Sequence, residues 1–308
     1  NSLSINAGEI KNNGIEVMLN TTPIQMDNGF QWDLDVNFSR NRSEVVSLSS
    51  GLQNYVMASR RVTIEARVGE RMGDMYGIGF ARVQNTDPSK PYYDATGQFV
   101  GQMVFSNPNA SGSGGGRPLR TTDRIKLGNY NPDWMAGIMN TFSYKGIRLS
   151  VLLDIRYGGE LYSETQTVGR EGGIIIETLE GRENGYYPQA SVATDPLLLN
   201  APAGTYVVGQ GVSQNADGTF KVNEHRVLPR QWHSAWTGGR AIAEGVVYDA
   251  SFTKLREIQI GYTIPDKFFG NLPFRSVSIS LVGRNLALWT DVPHIDPEVM
   301  SYTGGTAL

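Results

Sequence analysis

The chain has 308 residues, a formal net charge of -3, 19% charged residues, 36 glycines and no cysteine. Without cysteine there is no zinc ribbon, iron–sulfur cluster, thiol catalysis or disulfide scaffold, and without a basic surplus there is no nucleic-acid footprint. No run of about 18 apolar residues occurs, which excludes helical membrane spans, and the glycine-rich, weakly charged composition suits an all-β chain rich in turns.

In chain order, Ser4 to Asn20 reads as a strand, with Ile15, Val17 and Leu19 alternating against Glu16 and Asn20, and Pro23 is expected to end it. Turn chemistry follows at Gln25, Asp27, Asn28 and Gly29. The next strand has the clearest period of two in the chain. Phe30, Trp32, Leu34, Val36 and Phe38 share one face, and Gln31, Asp33, Asp35, Asn37 and Ser39 the other. From Asn41 to Tyr130 the periodicity fades into polar, glycine-rich sequence. It includes NPNASGSGGGRP at Asn107 to Pro118, which is expected to be flexible and to pack no core.

Asn131 to Tyr162 is the most informative stretch. Trp134, Ala136, Ile138, Phe142 and Tyr144 form one apolar row, interrupted by Asn140; Ile147, Leu149, Val151, Leu153, Ile155 and Tyr157 form a second. Arg148, Ser150, Asp154 and Arg156 face the other way, with Leu152 as the exception. Ser143 to Gly146 is short enough for a tight antiparallel turn. Each strand spans about 33 Å at roughly 3.3 Å per residue. Tilted by about 35 to 45°, it rises roughly 23 to 27 Å, the height of an outer-membrane apolar band with aromatic girdles. Val151 is therefore assigned to lipid and Ser150 to the inward face.

A second excursion runs from about Gly158 to Gly245, where Gly173 to Leu179 is apolar enough to fold onto a neighbour. The third hairpin is expected to start near Val247, with a β-bulge around Arg256 and Glu257 where Leu255 and Ile258 change phase. Pro265 should close that strand. Val277, Ile279 and Leu281 alternate in the last one, before Trp289 at an interface. Three hairpins thus repeat one scheme of strand, short turn, strand and long loop, so about six long strands are predicted.

Little of the polar chemistry survives weighing. His225, His233 and His294 are too few and scattered for a metal site. Asp33 and Asp35, about 7 Å apart on one strand face, read as a hydrated row rather than a glycosidase pair. Gly73, Gly77 and Gly79 lack the lysine and helix of a phosphate loop, and Asp94 to Gly97 lacks a calcium ladder and reads as a turn. Within Arg230 to Trp236, two indoles beside an arginine, Arg230, Trp232 and Trp236, suit stacking on sugar rings or holding peptide termini, and suit packing the loop itself equally well. Trp289 with Asp291 carries the same pair of readings, substrate contact or interfacial anchor.

Several motifs resemble one family along nearly the whole chain: N-x-G-x-I-x-N-x-G-x-E at Asn6 to Glu16, L-G-x-x-x-P-x-W at Leu127 to Trp134, G-G at Gly158 and Gly159, S-F-x-K-L-R-x-I-x-I-G-Y at Ser251 to Tyr262, and G-R-N-L-x-x-W at Gly283 to Trp289 followed by D-P-E at Asp296 to Glu298. Their order and spacing resemble the C-terminal barrel half of SusC/RagA-type TonB-dependent transporters. The resemblance implies a 22-stranded barrel in the outer membrane of a Bacteroidota-type bacterium, importing oligosaccharides or peptides beneath a SusD-like surface lipoprotein with energy from the TonB complex. With no thiol, metal-ligand set or recognisable nucleophile–base pair in the sequence, the substrate is expected to be moved unchanged, without cofactor or metal. Residues 1–308 are then expected to be a partial barrel domain, with the N-terminal plug, the early strands and the final strand outside it; the start at Asn1 without a methionine fits an excised segment. The competing reading is a secreted, soluble all-β protein that binds or cleaves glycans.

Overall fold

The computed structural model describes residues 8–49, 52–59, 61–107, 115–188, 191, 194–234, 242–268 and 276–299. In chain order the strands are β1 (Gly8–Gln25), β2 (Gln31–Leu48), β3 (Asn54–Ser59), β4 (Thr63–Arg67), β5 (Asp74–Phe80), β6 (Val104–Phe105), β7 (Arg120–Asn129), β8 (Trp134–Tyr144) and β9 (Ile147–Tyr157). They continue with β10 (Glu160–Tyr162), helix α1 (Glu164–Gly172), β11 (Val207–Val208), β12 (Val212–Gln214), β13 (Phe220–Val222), β14 (Arg226–Val227) and helix α2 (Pro229–Ser234). Last come β15 (Val247–Asp249), β16 (Phe252–Ile264) and β17 (Val277–Thr290).

Six long strands form one sheet in the order β1-β2-β8-β9-β16-β17, each neighbour antiparallel. The central hairpin closes on Lys145 and Gly146, whose φ values of 48° and 86° are those of a type I′ turn, matched to strand twist. Register then aligns the apolar rows across the sheet. Leu19 lies opposite Val36, Val36 opposite Ile138, and Ile138 opposite Leu153; beyond them Ile258 faces Val151 and Ile260 faces Leu281. Aromatic pairs mark both ends of this face. Trp32 stacks on Phe142 beside the short turns, while Phe38 meets Trp134 and Trp134 stacks on Tyr157 beside the long loops. Asn140, the polar interruption, lies between Leu34 and Val151 and accepts a 3.1 Å hydrogen bond from the Trp32 indole, so its amide oxygen is satisfied within the apolar row.

Several boundaries differ from expectation. Pro23 does not end β1, which runs to Gln25: the proline falls in a register shift between Thr21 and Ile24, where its missing N–H breaks no regular ladder bond with β2. The bulge falls where the phase change put it, between Leu255 and Glu257. Val247 begins not the long strand but the separate β15, paired with β10. Ser150 is not an open inward position: it is buried and shares a 3.2 Å hydroxyl contact with Thr141 across the hairpin.

The two excursions, expected to be mostly polar loop, fold into one layer at the end of the sheet opposite the short turns. The first holds a four-stranded sheet, β3-β4-β5-β7. A three-stranded sheet, β13-β12-β6, draws on both, because β6 of the first excursion pairs in parallel with β12 of the second. Buried clusters form around Val83, Val104 and Val212, around Val62, Tyr162 and Val246, and around Leu198 and Leu228. Of the Asn107 to Pro118 tract, residues 108–114 lie outside the described residues. Segment 173–179 folds onto α1 through Ile175, which packs at Gly169, and through Glu177, which accepts from Gln166 Nε2 at 3.2 Å, with Thr178 buried; Ile174 and Ile176 stay 81% and 78% exposed.

Candidate functional site

The polar face of the sheet carries its densest charge at the loop end, on β16. Lys254 is buried there, and its Nζ donates to Asp296 Oδ2 at 2.6 Å and to Glu298. Arg256, the extra residue of the bulge, reaches Asp154 on β9 and makes a two-pronged pair with Glu298 at 2.8 and 2.9 Å. The bulge explains how two basic residues reach one side, since it lets Arg256 join Lys254 while Glu257 follows on the same face. Segment 296–299 is thereby clasped back against the wall. Arg256 first and Lys254 second hold the Glu298 carboxyl far down, at about 2.

A second polar cluster sits where β7 turns into β8. Arg42 and Arg71 both pair with Asp133, at 2.7 and 3.3 Å, and Arg71 also donates to the Pro132 carbonyl. Glu160 accepts from the Asn129 N–H at 2.5 Å, and burial, then repulsion from Asp249 and Asp133, pushes its carboxyl above the usual range. Gly128 has a φ of 149°, and a Cβ there would lie 2.5 Å from the Glu160 carboxyl; at Gly158, with φ 75°, it would lie 2.8 Å from that of Asp133. These are the L-G and G-G motif positions, where only glycine leaves room for the charges. The cluster borders a cavity of about 380 Å³ that also takes in Lys126 and Asp74.

The five residues singled out in the sequence fall in two places. Arg230 is exposed on α2, and Trp232 is half-buried there, stacked on Phe105 at 6.0 Å; Trp236 lies outside the described residues. Trp289 and Asp291 line a groove of about 560 Å³ with Tyr157, Phe252 and Thr253, and Trp289 continues the apolar row of β17, opposite Thr253. His233, next to Trp232, is buried, and desolvation lowers its pKa to about 4, so it is neutral. His294 places Nε2 2.9 Å from Ser163 Oγ and accepts at Nδ1 from Gln166 Nε2 at 3.0 Å. Its proton is thus on Nε2 and points at the hydroxyl, the reverse of an activated nucleophile. Sequence reasoning passed over Lys254, Arg256, Asp296, Glu298 and Glu160 as site residues. Their motifs were visible, but the pairings join positions about forty residues apart, such as Lys254 and Asp296.

A long antiparallel sheet with one lipid-compatible, aromatic-bordered face, one polar face and a folded layer beyond one end is the wall of an outer-membrane β-protein. No family model matches the chain. It is 26% identical over 298 residues, 95% of its length, to TonB-dependent receptor P3 of Formosa agariphila, and 25% identical over 97% of its length to TonB-dependent receptor P26 of the same organism. The RagAB peptide importer in its closed-closed state has the same fold, with a TM-score of 0.61 and 17% identity over 95% of this chain and 27% of that one. The chain spans about a quarter of the length of the curated relatives it matches, 26% in both cases. Sequence and fold together resemble a segment of a SusC/RagA-type TonB-dependent transporter, a protein of the outer membrane.

Proposed function

We propose that the protein to which this chain belongs imports oligosaccharides or peptides across the outer membrane with energy from a TonB complex, beneath a SusD-like surface lipoprotein. The observation that carries this is the pairing of a lipid-facing wall with a folded layer at one end only. Relatives that are receptors and transporters support transport rather than catalysis. Among the described residues β1 and β17 have no neighbour on their outer sides, and open edges are not tolerated in lipid, so further strands are proposed to complete the wall, up to the 22 that the resemblance implies. A plug domain and the remaining strands then belong to the rest of the longer protein. Arg230 and Trp232 in the loop layer, Trp289 with Asp291 at the rim, and Trp236, which lies outside the described residues, are proposed to meet substrate. Support comes from the exposure of Arg230 and the groove at Trp289. The similarity to a peptide importer favours peptides as the first class to try.

The test is growth on a peptide or an oligosaccharide as sole nutrient, alongside surface abundance of the protein. Deleting the gene should abolish growth on one of them, and Trp232→Ala with Trp236→Ala should slow it at normal abundance. Normal growth at normal abundance removes the pair from the substrate path; lost abundance assigns Trp232 to packing against Phe105.

A further inference from the structure

On the four-stranded sheet of the loop layer, one face packs on the core through Ile64, Met75 and Leu127, and the other is polar. The charges of that polar side are paired almost throughout. Arg67 meets Glu65 at 2.9 Å, Lys126 meets Asp74 at 2.5 Å and Glu70 at 3.3 Å, and Arg61, just before β4, meets Glu164 at 3.2 Å. Arg124 is different. It is exposed on β7, and its Nη1 donates to two backbone carbonyls, Arg61 O and Tyr76 O, each at 3.2 Å, with no carboxylate partner among the described residues. Both hydrogens of Nη1 are thereby used, which orients the guanidinium plane, and among the described residues the Nη2 and Nε edge of this exposed side chain has no hydrogen-bond partner.

That edge carries two parallel N–H donors on a group held in place, the geometry that takes a planar carboxylate through both oxygens. Ordering of the arginine side chain, normally lost on binding, has already been met by the two carbonyls. We propose that Arg124 is a carboxylate-binding residue of the loop layer and selects imported molecules that carry one, either a peptide C-terminus or a uronic acid. The inference rests on the import reading. The acids of that polar face named above are held by other cations, Glu65 by Arg67, Asp74 and Glu70 together by Lys126, and Glu164 by Arg61.

The test measures binding to the full-length transporter in detergent by calorimetry. The probes are tetra-alanine with a free C-terminus, its C-terminal amide, trigalacturonate and its methyl ester. The free acid of one pair should bind about tenfold or more tightly than its neutral analogue, as expected for a charge-assisted, two-pronged contact. Which pair shows the difference identifies the source. Arg124→Gln should erase the preference while leaving affinity for the neutral probe unchanged, and Arg124→Lys should restore only part of it; unchanged heat-modifiable migration on gels reports folding of each variant. Equal binding of acid and neutral probe by the native protein, or a preference that survives Arg124→Gln, overturns the assignment. Failure of all four probes overturns it for both sources, and nutrient-dependent growth then separately decides whether import itself stands.

Discussion

The wall and the loop layer use the same residue types against different surroundings. On the inner strands of the wall, Ile147 is 48% and Ile260 49% exposed, while in the loop layer Val104, Val212 and Met75 are fully covered and Phe105 is 1% exposed. The wall's apolar side chains touch only their neighbours along the sheet and leave their outer side to the bilayer, so they need only lie on the correct face. The loop layer must exclude water by itself, so its side chains interlock: a Cβ at Gly209 would lie 2.1 Å from the Phe105 ring. One region is therefore specified by register and the other by shape.

The sharpest way to break this contrast is to empty the loop core. Phe105→Ala removes a buried ring that Trp232 stacks on, and it should cost about 3 to 5 kcal/mol of local stability. External protease on intact cells should then cut the loop layer quickly while the wall stays folded; unchanged resistance would mean that the layer is not held by this core. A smaller effect is expected on the wall. Val151→Arg should cost about 2 to 4 kcal/mol at the bilayer midplane, whereas Asn37→Arg, exposed on the polar face with Gly137 opposite, should be close to neutral. Equal losses at the two positions in refolding into lipid vesicles would erase the assignment of faces.

The smallest effect concerns the clasp between wall and loop. Because the Glu298 carboxyl sits at about 2 rather than at the ordinary 4.5, its pairing with Arg256 and Lys254 stabilises fully above about 4.5 and is lost as pH falls through about 2. Glu298 is nearly half exposed, so Glu298→Gln should cost only about 0.5 to 1 kcal/mol. It should also flatten the acid dependence of amide protection in segment 296–299 between pH 5 and pH 2, about the span of the shift. A variant that keeps the full acid dependence would show that another group closes the clasp.

Much of the wall was legible in the chain. Alternation over ten or more residues admits one periodicity, so the central hairpin was readable to its ends, and the bulge at Arg256 appeared as a slip of phase between Leu255 and Ile258. Pro23 misled because a proline stops a strand only where its N–H is needed, and sequence does not reveal where the pairing register slips. The loop layer was almost illegible. Its strands, such as the two-residue β6, are too short for a period to emerge, and their partners lie far along the chain, as Val104 and Val212 do.

The candidate site divides along the same line. Sequence alone determined which residues alternate, hence the two faces, the six long strands and the motifs with their glycines, because these depend on neighbours one or two positions away. Tertiary structure decided that Lys254 meets Asp296, that Glu160 fits beneath Gly128, that Trp232 leans on Phe105 and that Arg124 is held by two backbone carbonyls. Each of those depends on which distant segments the fold brings together, and a local period in the chain carries no information about that.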